Sequence, residues 1–428
     1  MTGLTRFIGR KEHFGSIIYD RERADYIPFD HDAAEIFELT ETKTLSQIYK
    51  IMEGRIQQRN FETFVQLCQS IEILDSKGKF TGTFIGRDLS KEEHLSAPLK
   101  VYFSTTKSCN FSCRHCFSSS GNSYPDELKT SEVKKLIDEM ATIGCFELSL
   151  GGGEPLLRDD LHEIIAHANL RGISVRISTN AAAATKEIVK KLKGLKIRAL
   201  KISMEGGSEK IYDYIRGKSG SFRKTLRGIK NLKELSIPIS LQMVFMKPNI
   251  SELPSLIRIA EKLKVEKILL ETIMPVGRAT QNPQMLLTFE EANRLWEAAL
   301  KIQKNTHIKI EIPHYVPFRA GQNLMFEGFG CKCGTLICHI DPRGTVSPTG
   351  FLKDLFPAGT IREKSLKQIW DQSQELDKFR MLEGNQTCSA CNYFSSCRGG
   401  CRARALFTEK NLNQPDGNCA IAHQAKVS

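Results

Sequence analysis

Cys109, Cys113 and Cys116 fall within eight positions of the stretch "CNFSCRHCF", and no fourth cysteine lies near them. A structural zinc site takes four protein ligands, so three thiols leave one coordination position of a metal centre open. An open position is what lets a metal centre bind and activate a small molecule. On this spacing alone, a chance grouping and a zinc site with a distant fourth ligand remain the rival readings. A second set follows far downstream. "CSACNYFSSCRGGC" supplies Cys388, Cys391, Cys397 and Cys401, Cys419 follows after a gap, and "CKCGTLICHIDPRG" supplies Cys331, Cys333 and Cys338. On these cysteines alone a zinc ribbon and iron–sulfur ligation are both open. Cys68, on an apolar helical face with Phe64 and Leu67, and Cys145, just before a strand, read as buried small residues.

The bulk composition narrows the setting. In 428 residues, 40% apolar, two to four domains with real cores are expected. No run approaches the roughly 18 apolar residues of a membrane helix. The start, "MTGLTRFIGRKEHFG", lacks the apolar stretch of a signal peptide. A cytoplasmic protein without a membrane partner is expected, and there an odd total of 13 cysteines argues for metal over disulfides. The net charge of +12 serves general solubility first, with an acidic peptide, an anionic cofactor or nucleic acid as sharper readings. Because the charges are scattered along helices such as "KEIVKKLKGLK", nucleic acid gains little support.

The elements that must position these thiols separate into three regions: 1–95, 96–305 and 306–428. In the first, "GSIIYDRERADYIPFD" alternates as a hairpin. "AAEIFELT", "LSQIYKIMEG" and "FETFVQLCQSIEIL" read as helices, and "GKFTGTFIG" as a returning strand. Small helices flanked by strands indicate a winged-helix module. In the second region, strands at 100–106, 146–150, 173–179, 199–204, 239–246 and 267–274 alternate with helical periodicity, such as the face of Val133, Leu136, Ile137 and Met140. Six βα units in a row predict a parallel sheet with right-handed crossovers, either a partial barrel or a doubly wound open sheet. The third region is rich in Gly and Cys, with "WDQSQELDKFRML" as its one clear helix, and is expected to need metal as a staple.

Barrel enzymes carry their chemistry on the loops after the strands. Here the polar and glycine-rich punctuation falls on that rim. The three-cysteine loop follows strand one and "GGGEP" (151–155) follows strand two. Asn180 follows strand three, Glu205 and Gly206 strand four, Lys247 and Asn249 strand five, and "PVGR" (275–278) strand six.

The C-x3-C-x2-C loop after the first strand, with G-G-E-P after the second, resembles the radical S-adenosylmethionine (SAM) enzymes. The resemblance implies that Cys109, Cys113 and Cys116 hold three irons of a 4Fe-4S cluster and leave the fourth iron for SAM. SAM cleavage then gives a 5′-deoxyadenosyl radical that takes a hydrogen atom from a C–H bond. It further implies that Gly152, Gly153 and Glu154 meet the SAM amino group and that His115 contacts adenine. Ser203 and Glu205 of "SMEGG" match the family's "SLDG", with Glu replacing Asp, at a ribose or carboxylate position. Asn180 joins the SAM pocket, and Arg216 of "YIRG" matches an arginine that pairs with the SAM carboxylate.

The downstream cysteines resemble the SPASM extension of radical SAM peptide-modifying enzymes, which implies two auxiliary iron–sulfur clusters. By that pattern Cys388, Cys391, Cys397 and Cys419 hold the outer one. Where the pattern places a cysteine five residues after Gly344, this chain has Thr349. The inner cluster is then left with Cys331, Cys333, Cys338 and Cys401, or with one iron open. Cys331 and Cys333 would point to opposite sides of an extended segment.

The resemblance therefore implies an α/β protein: a partial (β/α)6 TIM-type barrel with an N-terminal winged-helix module and a C-terminal cysteine-rich SPASM domain. It implies a maturase of ribosomal precursor peptides that makes a crosslink, rearrangement or backbone modification. The first module resembles the small precursor-recognition chaperone of pyrroloquinoline quinone biosynthesis and would take the leader as an added strand while the core peptide enters the barrel. An electron donor such as flavodoxin or ferredoxin is implied. The alternatives are a radical SAM enzyme acting on a tetrapyrrole or other small molecule, and a non-catalytic iron–sulfur or zinc protein that binds nucleic acid.

Overall fold

The computed structural model describes residues 4–85, 94–312, 331–381 and 386–427. The chain divides into two compact units. One runs to Ala97 and takes in Met140–Phe146; the other holds Pro98–Glu139 and continues from Glu147.

In the first unit, β1 (Phe7–Glu12), β2 (Gly15–Asp20) and β3 (Asp25–Phe29) pair antiparallel in turn. Helices α1 (His31–Leu39), α2 (Leu45–Met52) and α3 (Gln58–Ser70) follow. The chain then returns as β4 (Thr83–Ile85), parallel to β1. The last residue of the predicted returning strand, Gly86, lies outside the described residues. Asp30 caps α1 through the Ala33 amide, and Thr44 with Gln47 forms a capping box on α2. Ile36, Phe37, Ile48, Met52, Phe61 and Val65 meet in one core, each worth about 1.5–3 kcal/mol of burial. Cys68 belongs to that core, and burial pushes its thiol up to about 12. Strand β1 escaped the sequence reading because two of its buried positions are charged: Arg10 pairs Glu12 at 2.7 Å, and both are buried.

The second unit is built on β5 (Lys100–Ser104), β6 (Glu147–Gly151), β7 (Ser174–Thr179), β8 (Ile197–Ser203), β9 (Ile239–Phe245) and β10 (Lys267–Thr272). All are parallel and stand side by side in chain order. A doubly wound sheet reverses its strand order at a switch point. The unbroken order is that of a partial barrel. Alternate residues such as Val101, Leu148, Val175, Leu241 and Ile268 are fully buried on one face of these strands. The other face carries Lys100, Tyr102, Glu147, Arg176, Lys201 and Gln242, so polar residues stand where a closed barrel packs Val, Ile and Leu.

Beyond β10 the same sheet gains β11 (Lys309–Glu311) on one edge. On the other it gains β12 (Ile337–Ile340), parallel to β5, with β13 (Thr345–Ser347) and β14 (Gly359–Thr360) antiparallel after it. The predicted single helix around "WDQSQELDKFRML" is two helices, Leu366–Gln372 and Gln374–Arg380, broken at Ser373 in an extended conformation. Its last residue, Leu382, lies outside the described residues. Nor is it the only helix there, since Arg402–Glu409 and Ala420–Val427 follow. This region also has an apolar core of its own. Leu366, Ile369, Trp370 and Leu376 are fully buried, each short helix giving only two or three such residues and hence no long periodic signal.

Candidate active site and metal centres

The loop Cys109–Cys116 is fixed by backbone contacts from three other rim segments. Gly153 donates to the Thr106 carbonyl at 2.7 Å and Glu154 to the Ser108 carbonyl at 2.8 Å. A Cβ on Gly153 would stand 2.0 Å from the Ser108 oxygen, so only glycine permits this approach. From the end of the helix Glu209–Arg216, the carbonyls of Ile215 and Arg216 accept from the amides of Arg114 and Ser112. From the loop after β10, Arg278 donates through Nε to the Cys113 carbonyl (2.7 Å) and through Nη1 to the Ser120 carbonyl (2.6 Å). Its neighbour Gly277, at φ +60°, would place a Cβ 2.3 Å from the Phe117 oxygen.

The three thiols sit in different environments. Burial pushes Cys109 up to about 12, and Asn180 Nδ2 lies 3.9 Å from its sulfur. Burial also raises Cys113, against the pull of Arg216, whose Nη1 is 3.5 Å from the sulfur. At Cys116 burial is outweighed by the Ser118 hydroxyl (3.4 Å), the Ser120 amide and Arg278, and the thiol falls below its ordinary value. Among the described residues no group of three His, Cys, Asp or Glu side chains converges as a site for a single metal ion.

Beside these thiols stands a buried charge set. Glu205 Oε2 is 2.5 Å from Arg216 Nη2, and Glu205 Oε1 is 3.6 Å from His115 Nε2. Burial pushes the Glu205 carboxyl up, but Arg216 and His115 win and hold it below the usual range. Arg216 also donates to the Ser203 carbonyl at 2.7 Å. Asn249, fully buried, donates to the carbonyls of Glu205 and Val244, tying the Glu205 backbone to β9. Glu154 is spent inside the protein: it accepts from the Leu156 amide, the Thr179 hydroxyl (2.6 Å) and the Asn180 amide (2.7 Å). Burial raises it despite these bonds.

The structure thus brings His115, Glu205, Arg216, Ser203, Asn180 and the three cysteines into one neighbourhood, with Gly152 and Gly153 as its floor. Two of its buried nitrogens, His115 Nδ1 and Arg216 Nε, have no hydrogen-bond partner. Buried orphaned donors are rare in native structures. Both suit a ligand carrying acceptor groups, and the thiol set with a cation beside it suits an iron–sulfur cluster with a carboxylate-bearing ligand. Asn249 and Arg278 act through backbone atoms. Their only sequence signal was their position after strands five and six.

In the C-terminal region, Cys388, Cys391, Cys397 and Cys419 line one cavity with Phe394, Pro415 and Ile421. Cys331 and Cys333 meet as well. The chain bends at Cys331, and the Lys332 carbonyl between the two accepts from the Leu336 and Ile337 amides, so the segment is not the extended strand that would separate them. Cys333 donates a hydrogen bond to Cys331, whose thiol falls to about 6, and Cys333 rises for the same reason. Cys401 and the Thr349 side chain are neighbours of Cys333. Cys338 is fully buried on β12, with Arg380 as an electrostatic neighbour. Two residues missed in the sequence link these sets. Asp416 accepts the Cys401 amide at 2.9 Å through its carboxylate and the Cys419 amide at 2.8 Å through its carbonyl. Buried Arg404 holds the Asp416 carboxylate at 3.0 Å.

Comparison with known proteins gives a consistent picture. The profile of the radical SAM superfamily matches residues 103–260, and that of the SPASM iron–sulfur cluster-binding domain matches residues 331–392. The AdoMet-dependent heme synthase of Methanosarcina barkeri (strain Fusaro / DSM 804) is 32% identical over 344 residues, which are 76% of this chain and 97% of that protein. The mycofactocin maturase MftC of Mycobacterium tuberculosis (strain ATCC 25618 / H37Rv) is 29% identical over 337 residues, 78% of this chain and 85% of that one. Among solved structures, Streptococcus suis SuiB bound to S-adenosylmethionine covers 98% of this chain and 100% of its own, with a TM-score of 0.74 at 17% identity. SuiB bound to precursor peptide SuiA covers 97% and 98%, with a TM-score of 0.73 at 16% identity.

Proposed function

The chain belongs to the radical SAM superfamily and carries a SPASM domain, and from that premise we propose that it modifies a ribosomal precursor peptide by hydrogen-atom abstraction. It is a radical SAM enzyme, with SAM and 4Fe-4S clusters as its cofactors. The observation that carries the peptide reading is length. In sequence the heme synthase and MftC alike leave about a quarter of this chain unmatched, whereas the fold of peptide-bound SuiB spans 97% of it.

In this reading Cys109, Cys113 and Cys116 hold the cluster that supplies the electron for cleaving SAM to the 5′-deoxyadenosyl radical. Arg216 offers its unpartnered Nε to the SAM carboxylate. Glu205, already neutralised by Arg216, keeps lone pairs for the ribose hydroxyls, with Ser203 beside it. His115 lies against adenine, the backbone of Gly152 and Gly153 meets the ammonium, and Glu154 holds that loop in place. Cys388, Cys391, Cys397 and Cys419 hold the outer auxiliary cluster. Cys331, Cys333 and Cys401, with Cys338 on β12, serve the inner one. The first unit receives the leader, and the product is a crosslink, rearrangement or backbone change. A flavodoxin or ferredoxin supplies electrons. The need for reduced thiols places the enzyme in the cytoplasm, and no helix among the described residues is long and apolar enough to cross a membrane.

The test is direct. Reduced, reconstituted protein is incubated with SAM and the small peptide encoded beside its gene. 5′-Deoxyadenosine should form, and the peptide should change mass. Cys113→Ala should abolish both. A second reading, action on a tetrapyrrole, is favoured by the 32% identity to the heme synthase. Turnover of a porphyrin, with the peptide unchanged, would establish it.

A further inference from the structure

Inside the barrel, one row of the sheet is unusually short of acid. Register places Lys201 of β8 between Ser178 of β7 and Ser240 of β9. One step away stand Arg176, paired with Ala199, and Gln242, paired with Ser203. Lys201 shares its face with Ser203, since side chains alternate along a strand, and Glu205 follows just beyond the strand end. Asn180, whose side-chain nitrogen is 3.9 Å from the Cys109 sulfur, follows directly on the end of β7, two residues after Ser178. This row therefore lies on the face of the proposed active site, roughly two strand residues, or about 7 Å, below Ser203.

Each side chain in the row can donate a hydrogen bond, and none is a carboxylate. Among the described residues, Lys201, Ser178, Ser240 and Gln242 have no side-chain hydrogen bond or ion pair, and all four are half-buried. The acids on the neighbouring strands face other cations. Glu147 holds Lys100 at 2.8 Å and Arg176 at 2.9 Å, one anion against two cations. Glu205 is held by Arg216, whereas Glu271 shares Arg404 with Asp416, which that arginine holds at 3.0 Å. Lys201 itself has no ion-pair partner among the described residues, so this lysine gives up hydration without gaining an acid. Half-buried donors without acceptors cost free energy, and such sites persist where a ligand completes them.

We propose that this row seats a carboxylate of the substrate, with Lys201 as its counter-ion and Ser178, Ser240, Gln242 and Arg176 as further donors. The proposal rests on the peptide reading for the source of that group, which is either the C-terminus of the core peptide or an acidic side chain. It fixes the reacting residue as one that bears or adjoins a carboxylate, because the seat lies so close beneath Ser203.

The test uses the full reconstituted chain with SAM in equilibrium dialysis, read by mass spectrometry. The probes are pentapeptide mixtures in three forms: a free C-terminus without acidic residues, an amidated C-terminus without acidic residues, and an amidated C-terminus with one Glu. Coproporphyrin and its methyl ester form a fourth pair. Retention of a carboxylate-bearing peptide at least about ten-fold above the amidated neutral mixture is expected. Lys201→Gln should abolish this preference, whereas Lys191→Gln on the exposed surface should not. Preference for the free C-terminus or for Glu tells which source is read. Retention of coproporphyrin over its ester, lost in Lys201→Gln, with every peptide excluded, would keep the carboxylate seat and overturn the peptide reading. Equal retention of acid and neutral forms, retention of no probe, or an unchanged preference in Lys201→Gln would overturn the proposal.

Discussion

Arg278 holds the three-cysteine loop by donating to two of its carbonyls, those of Cys113 and Ser120. Charge-assisted bonds of this kind are worth about 1.5–3 kcal/mol each. Arg278→Gln should therefore leave the fold intact but loosen the loop. Iron analysis of the variant should find about four atoms fewer per chain, one 4Fe-4S cluster, and 5′-deoxyadenosine formation should fall at least about ten-fold, or about 1.4 kcal/mol. Full iron content with normal cleavage would mean that the carbonyl contacts do not position the thiols. The case also marks what can be read from residue types. Thiol spacing is local, so Cys109, Cys113 and Cys116 were legible at once. Arg278, Asn249 and Asp416 act on backbone atoms distant in sequence, and nothing in their own neighbourhood announces that. The closeness of Cys331 and Cys333 was missed for a related reason: the prediction assumed an extended segment, and the chain bends at Cys331 with the Lys332 carbonyl accepting from Leu336 and Ile337.

At the scale of elements, alternation and helical periodicity placed all six barrel strands, because each buries every second residue under helices. The elements that escaped lack that signal. Strand β1 buries the pair Arg10 and Glu12, and the helices Arg402–Glu409 and Ala420–Val427 are too short to show a period. Strand β2 ends at another such charge, Asp20, which accepts from the Glu22 and Arg23 amides and lies 2.8 Å from Arg6. Burial pushes its carboxyl up, but Arg6 and those two amides outweigh this and hold it below its ordinary value. A carboxylate with a lowered folded-state value stabilises fully above its unfolded pKa of about 3.9 and less as pH falls through the folded one. Asp20→Ala should cost about 1–2 kcal/mol at neutral pH. Between roughly pH 4 and 2, stability of the variant should fall less steeply than that of the parent. Denaturant unfolding of the full chain followed at several pH values measures both, and parallel curves would remove Asp20 from the account.

For the molecule as a whole, the division into two units makes recognition and chemistry separable in experiment. The proposed active site lies within the second unit, so SAM cleavage without peptide depends on that unit's residues. Among the described residues the sheet of the first unit ends in β3, which pairs with β2 on one side only. An unpaired strand edge offers backbone donors and acceptors to an extended peptide, and pairing there slows amide exchange by holding those groups. Pro28 has no amide to offer, so the response is carried by the other residues of Asp25–Phe29. Hydrogen exchange on the full chain with its leader peptide should slow across residues 25–29, while the peptide-free rate of 5′-deoxyadenosine formation stays unchanged when a leader lacking the core is added. Slowed exchange confined to β5–β10 instead would assign leader recognition to the barrel and leave the first unit a structural element.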